Sequence, residues 1–70
     1  MNADVLAVLW EYTEVPDDPA QPLEVTSLEL VQIAEALEVR FGFVVAAREL
    51  NRENFGSAER IVRFVAEKTK

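Results

Sequence analysis

The sequence predicts an all-α fold, a small bundle of three main helices plus one short helix, and three observations lead there. Apolar residues recur at helical spacing in three separate segments. All three prolines fall in one stretch, which divides the first of these segments from the second. The stretch "FVVAARELNRENF" has β-branched residues but no partner strand anywhere in the chain. Seventy residues at 50% apolar content are enough for one shared core, near the lower size limit for folding without disulfides or metals. Residues 1–70 are therefore expected to form a single domain.

In the first segment Val5, Val8, Leu9 and Tyr12 fall at i, i+3, i+4 and i+7, and Asn2 or Asp4 is available as the N-cap. "VPDDPAQPLEV" removes three backbone donors and fixes φ at three places, so it reads as an ordered, non-helical connection reaching residue 26. Leu30, Ile33, Ala34, Leu37 and Phe41 give the second helix its stripe, and Gly42 follows as a helix stop should. Next, "FVVAARELNRENF" reads as a buried irregular turn and a short helix near residues 46–51. Ser57 caps a final helix with Ala58, Ile61, Phe64 and Val65 on one stripe and Lys68 and Lys70 near its negative end.

Composition narrows the chemistry. With no Cys and no His, the chain has no thiol nucleophile, no imidazole base and no zinc site built from those ligands. No catalytic residue and no metal site are expected. Asp17 and Asp18 are adjacent carboxylates without the wider ligand pattern a divalent ion needs, and read as surface acids. No apolar run is long enough for a membrane span, and the acidic N-terminus lacks the basic region of a signal peptide, so the expectation is a cytoplasmic, monomeric protein. Of the net charge of −6, residues 1–38 carry −9 with no base, and residues 39–70 carry +3. An acidic front half repels nucleic acid and anionic lipid and favours partners with basic surfaces; it also serves solubility.

The quartet "TSLE", residues 26–29, is the richest local signal. With Thr26 as N-cap, Glu29 sits at N3 of a capping box, and Val25 and Leu30 are placed as a hydrophobic staple. Ser27 is then N1, which the cap does not need. Its hydroxyl is expected to lie exposed at the positive end of the helix, where an attached phosphate would be favoured. Taken locally, the stronger reading is that a serine near a helix start is an ordinary residue.

Ser27 and Leu28 at a helix start, then Leu37, Glu38 and Phe41, a Pro-rich approach loop, and a later "ENF" followed by Ser57, Ala58 and an apolar helix together resemble the acyl carrier protein family, including its aminoacyl and peptidyl carriers. The resemblance spans nearly the whole chain, and its specificity is in the order and spacing of individually weak motifs. It implies an acyl-carrier-like bundle in which Ser27 is the attachment point for 4′-phosphopantetheine, added from coenzyme A by a phosphopantetheinyl transferase. The arm's thiol would hold an acyl or aminoacyl group as a thioester for delivery to acyltransferase, ligase or synthase enzymes with basic docking patches. Glu29, Glu35 and Glu38 are the acids, and Leu28 and Val31 the apolar residues, that the resemblance offers for docking. Leu28 and Val31 also have core packing as an alternative.

The sequence also departs from the family. Thr26 stands where the family most often has Asp, a residue associated with recognition and metal-assisted chemistry during arm transfer. Gln32 replaces a glutamate common in fatty-acid carriers, Glu35 an apolar residue, and the Pro-rich loop is shorter than theirs. These differences lean towards a stand-alone carrier in polyketide or nonribosomal peptide biosynthesis. Two other readings stay open: a carrier-like fold without the arm acting as an interaction subunit, and an unrelated helical adaptor.

Overall fold

The computed structural model describes residues 2–70, which are mostly helical with no strand among them. Helix α1 spans Ala3–Tyr12, α2 Ser27–Phe41, α3 Arg52–Phe55 and α4 Ala58–Lys68, with a 3-10 turn at Ala47–Glu49. The three main helices and the all-α class follow the sequence expectation. Helix α1 packs on α2 and α4, and α3 packs on α4.

Each main helix starts where a short polar side chain satisfies the free N–H groups of its first turn. Asn2 Oδ1 accepts from the N–H of Asp4 at 2.9 Å and of Val5 at 3.2 Å, which settles the cap of α1 on Asn2 rather than Asp4. Ser57 Oγ accepts from the Arg60 N–H at 3.2 Å and opens α4. Gly42 ends α2 at φ 74°, ψ 41°, left-handed backbone that a residue without Cβ adopts freely.

The stripes read from the sequence become the core. Val5, Val8 and Leu9 of α1 meet Ile33, Ala34 and Leu37 of α2, and Ala58, Ile61, Phe64 and Val65 of α4 complete the cluster with Phe55 of α3. Phe64 is its aromatic hub, tilted against Phe55 with ring centroids 5.0 Å apart and edge-on to Phe43 at 6.2 Å. Tyr12, Leu30 and Phe41 are half-buried at its margin.

The proline-containing connection is ordered and pinned to the α3–α4 junction. Leu23 donates its N–H to Gly56 O at 2.9 Å, and Glu59 donates to Pro19 O at 2.9 Å. Within it, Asp18 Oδ1 accepts from the Ala20 N–H, so this carboxylate closes a local turn.

The segment after α2 differs from expectation in two ways. Phe43 and Val45 pack on the core while Val44 faces solvent, the alternation of an extended chain, so this stretch is only half buried. The short helix expected near residues 46–51 is only a 3-10 turn at Ala47–Glu49, and the short α-helix, α3, lies just beyond it. The break lies at Asn51, which is extended (φ −132°, ψ 170°) and accepts the Asn54 N–H at 2.9 Å, acting as a new N-cap.

Candidate functional site around Ser27

Thr26 and Glu29 define the start of α2. The Thr26 N–H donates to Glu29 Oε1 at 2.8 Å and the Glu29 N–H donates to Thr26 Oγ1 at 3.1 Å, the reciprocal capping box expected from "TSLE". The Leu30 N–H donates to Thr26 O at 2.9 Å, the first intrahelical bond. Val25 and Leu30, the staple pair, are both half-buried against the core.

Ser27 is the first helical residue and is exposed. Its hydroxyl has no part in the cap. The N–H groups of Ser27 and Leu28 precede the first intrahelical bond and have no helical acceptor, so both are available to an oxygen-rich anion at this positive helix end.

At about 100° per residue, Ser27, Glu38, Val31, Glu35 and Leu28 fall within one arc of about 100° on α2. Both apolar members of the arc are exposed, Leu28 at 68% and Val31 at 40%, so neither has the core role open to it from sequence. Glu29 lies about 100° outside that arc and its carboxylate is engaged in the cap.

Glu38 is half-buried at the edge of the arc, and its Oε2 accepts the Val45 N–H at 2.7 Å, tying the segment after α2 back to the helix. Glu35 is the acid of the three that is exposed and makes no internal hydrogen bond among the described residues. The structure thus assembles a face of Ser27, Leu28, Val31 and Glu35, with Glu38 held at its margin and Glu29 turned away.

Two features of the acidic half were not singled out from sequence. Asp4 pairs with Arg40 at 3.1 Å, joining the start of α1 to the end of α2 at an exposed position where such a pair contributes about 0–1 kcal/mol. Trp10 lies off the buried stripe of α1 and faces solvent. Its position next to Leu9, outside the i, i+3, i+4, i+7 pattern, was the available signal.

No protein-family model matches this sequence, and comparison with curated proteins and with solved structures finds no match either.

Proposed function

We propose that the protein is a non-catalytic carrier. On this reading it holds an acyl or aminoacyl intermediate as a thioester on a 4′-phosphopantetheine arm esterified to Ser27. The observation that carries it is the exposed Ser27 hydroxyl at the first position of α2, relieved of capping by Thr26 and bordered by exposed Leu28 and Val31.

The residues present fit such a group. The free N–H groups of Ser27 and Leu28 and the positive end of α2 would hold a phosphodiester on Ser27 Oγ, an interaction worth about 0.3–1 kcal/mol at an exposed site. When bound, the arm supplies the thiol that a chain without cysteine lacks. The domain contributes attachment and recognition: a flexible tether on a rigid bundle raises the effective concentration of the carried group at a docked enzyme.

Docking in this reading centres on Leu28, Val31 and Glu35, an apolar patch with one free carboxylate facing a basic surface on a transferase, ligase or synthase. The departures at Gln32 and Glu35 from fatty-acid carriers support assembly of the polyketide or nonribosomal peptide type.

The test is to incubate the apo protein with coenzyme A and a promiscuous phosphopantetheinyl transferase and record intact mass. The expected result is addition of one arm to the wild type and none to Ser27→Ala. No addition to the wild type with several transferases overturns the active-carrier reading and leaves an interaction subunit.

A further inference from the structure

Trp10, the one tryptophan in the chain, is 58% exposed on α1, and no residue of α2 lines the depressions around it. It lines two adjoining depressions that also share Val15, Pro16 and Asp17. One, of about 320 Å³, is walled by Leu6, Val15, Pro16 and Pro19. The other, of about 700 Å³, is rimmed by Glu14, Asp17, Asp18 and Glu24. An indole left this open contributes little to the core, and together with the neighbouring apolar wall it makes a surface suited to a partner.

The four carboxylates have no counter-charge nearby in sequence, since the first base is Arg40. The ion pairs among the described residues are Asp4–Arg40 and Glu49–Lys68, and neither involves this rim. Among the described residues, Asp18 alone of the four accepts a hydrogen bond, from the Ala20 N–H. An aromatic face bordered by unpaired carboxylates has the electrostatics of a site for a guanidinium or ammonium group, where cation–π attraction and the carboxylate field act together. It repels phosphates, carboxylates and anionic lipid.

The groove is also preorganised. Pro16, Pro19 and Pro22 fix their φ angles, and the Glu59→Pro19 and Leu23→Gly56 hydrogen bonds hold the loop to the body of the protein. Binding there does not have to order the loop first. A mainly apolar depression adjoining an acidic one, with Asp17 on the border of both, matches neighbouring residues of a peptide better than a point cation.

We propose that the Trp10 groove docks a short basic segment of a partner protein, with an arginine or lysine stacked on the indole and an adjacent aliphatic side chain in the Leu6–Val15–Pro19 depression. This surface lies on different residues from the Ser27 face, and its use does not require Ser27 to be modified.

The probe is a fluorescein-labelled hexapeptide, Arg-Leu-Arg-Lys-Leu-Arg, titrated with the full chain and followed by anisotropy; an unlabelled copy is followed by Trp10 emission. A peptide with Glu at every basic position is the control. The basic peptide is expected to bind and to change Trp10 emission, and to weaken about tenfold or more as salt rises from about 50 to 500 mM, while the acidic peptide does neither. Trp10→Ala, and separately Glu14→Gln with Asp17→Asn, should each weaken binding about fivefold or more at unchanged circular dichroism, with Glu35→Gln and Ser27→Ala binding as the wild type does.

Absence of binding, or binding that survives both groove variants, overturns the proposal, as does binding lost through Glu35→Gln, which would place the peptide on α2. Concentration-dependent dimerisation abolished by Trp10→Ala would instead seat a second copy in the groove and overturn it as well. A failed Ser27 modification leaves these results unchanged, so the two proposals fail separately.

Discussion

The Thr26 hydroxyl and the Glu29 backbone N–H lie 3.1 Å apart, with the Glu29 carboxylate returning to the Thr26 N–H at 2.8 Å. Two of the free donors at the start of α2 are thereby satisfied without Ser27. Thr26→Val keeps the β-branched shape and removes the acceptor, so it should lower stability by about 1 kcal/mol. In a domain of this size that is a fall of roughly 4–8 °C in Tm, read by thermal circular dichroism. Thr26→Asp retains an acceptor and should hold Tm within about 2 °C of the wild type. On the carrier reading it should also speed modification of Ser27. Equal rates would show that the transferase does not sense charge at this position.

Glu38 and Glu35 sit on the same side of α2 but have different work. Glu38 Oε2 accepts the Val45 N–H at 2.7 Å, whereas Glu35 is exposed. Glu38→Ala should destabilise the fold on the order of 1 kcal/mol and increase hydrogen exchange at the Val45 amide above all. Glu35→Ala should change neither. If the α2 face docks enzymes, Glu35→Lys should reduce turnover by a partner at unchanged Tm, while Glu38→Lys should lower both together. Equal protection of Val45 in Glu38→Ala and wild type would assign the tether to the packing of Phe43 and Val45 instead.

These residues also mark how far the sequence could be read. The helices were legible because their signals are local and redundant: Ile33, Ala34 and Leu37 recur at helical spacing, and Thr26, Glu29 and Gly42 punctuate the same element. The exposed position of Ser27 followed from the same cap. The segment after α2 was harder because its conformation depends on contacts between elements. Glu38 reaches seven residues forward to hold Val45, and Asn51, where the expected short helix ends, caps a further short helix beyond it. The Trp10 groove was hidden for a related reason, since its walls come from α1, the proline loop and Ala58 of α4 together. Periodicity ranks a residue against its own helix and is silent about what another element places beside it.

Glu49 joins the 3-10 turn to the end of α4. Its Oε2 lies 2.9 Å from Lys68 Nζ, its Oε1 accepts the Ala46 N–H at 2.8 Å, and the Lys68 ammonium sits 5.6 Å from the Phe64 ring centroid. The hydrogen bond from Lys68, followed by that from Ala46, holds the Glu49 carboxyl below its ordinary value of 4.5, with the charges of Lys68 and Arg48 adding to them and desolvation opposing. A folded-state pKa below the unfolded one means the unfolded chain binds the proton more readily. The contribution is therefore complete above the ordinary glutamate range and is lost as pH falls through the depressed value, below 4.5. Glu49→Gln should lower Tm at neutral pH and flatten the acid limb of the stability profile below that point. Added salt should narrow the difference, because the pair is partly exposed. Parallel acid limbs for the two proteins would remove Glu49 as their source.

The two glycines differ in what holds them. Gly42 has φ 74° with open space around a built Cβ, so the constraint there is conformational. Gly42→Ala should lose about 1 kcal/mol, and Gly42→Asn less, since Asn tolerates the left-handed region. Gly56 has ordinary right-handed backbone, but a Cβ there would press into the Arg52 carbonyl oxygen, which accepts the Gly56 N–H at 2.8 Å. Because backbone is the obstacle, Gly56→Ala has to shift the α3–α4 junction, an overpacking effect on the order of 1–3 kcal/mol. The same junction presents Gly56 O to the Leu23 N–H and so fixes the proline loop. Gly56→Ala should consequently raise exchange at the Leu23 amide and loosen the loop beside Trp10, seen as a change in Trp10 emission. Gly42→Ala, at the far end of α2, should destabilise without either local signature. If both variants change Leu23 exchange alike, the loop follows global stability and is not held specifically through Gly56.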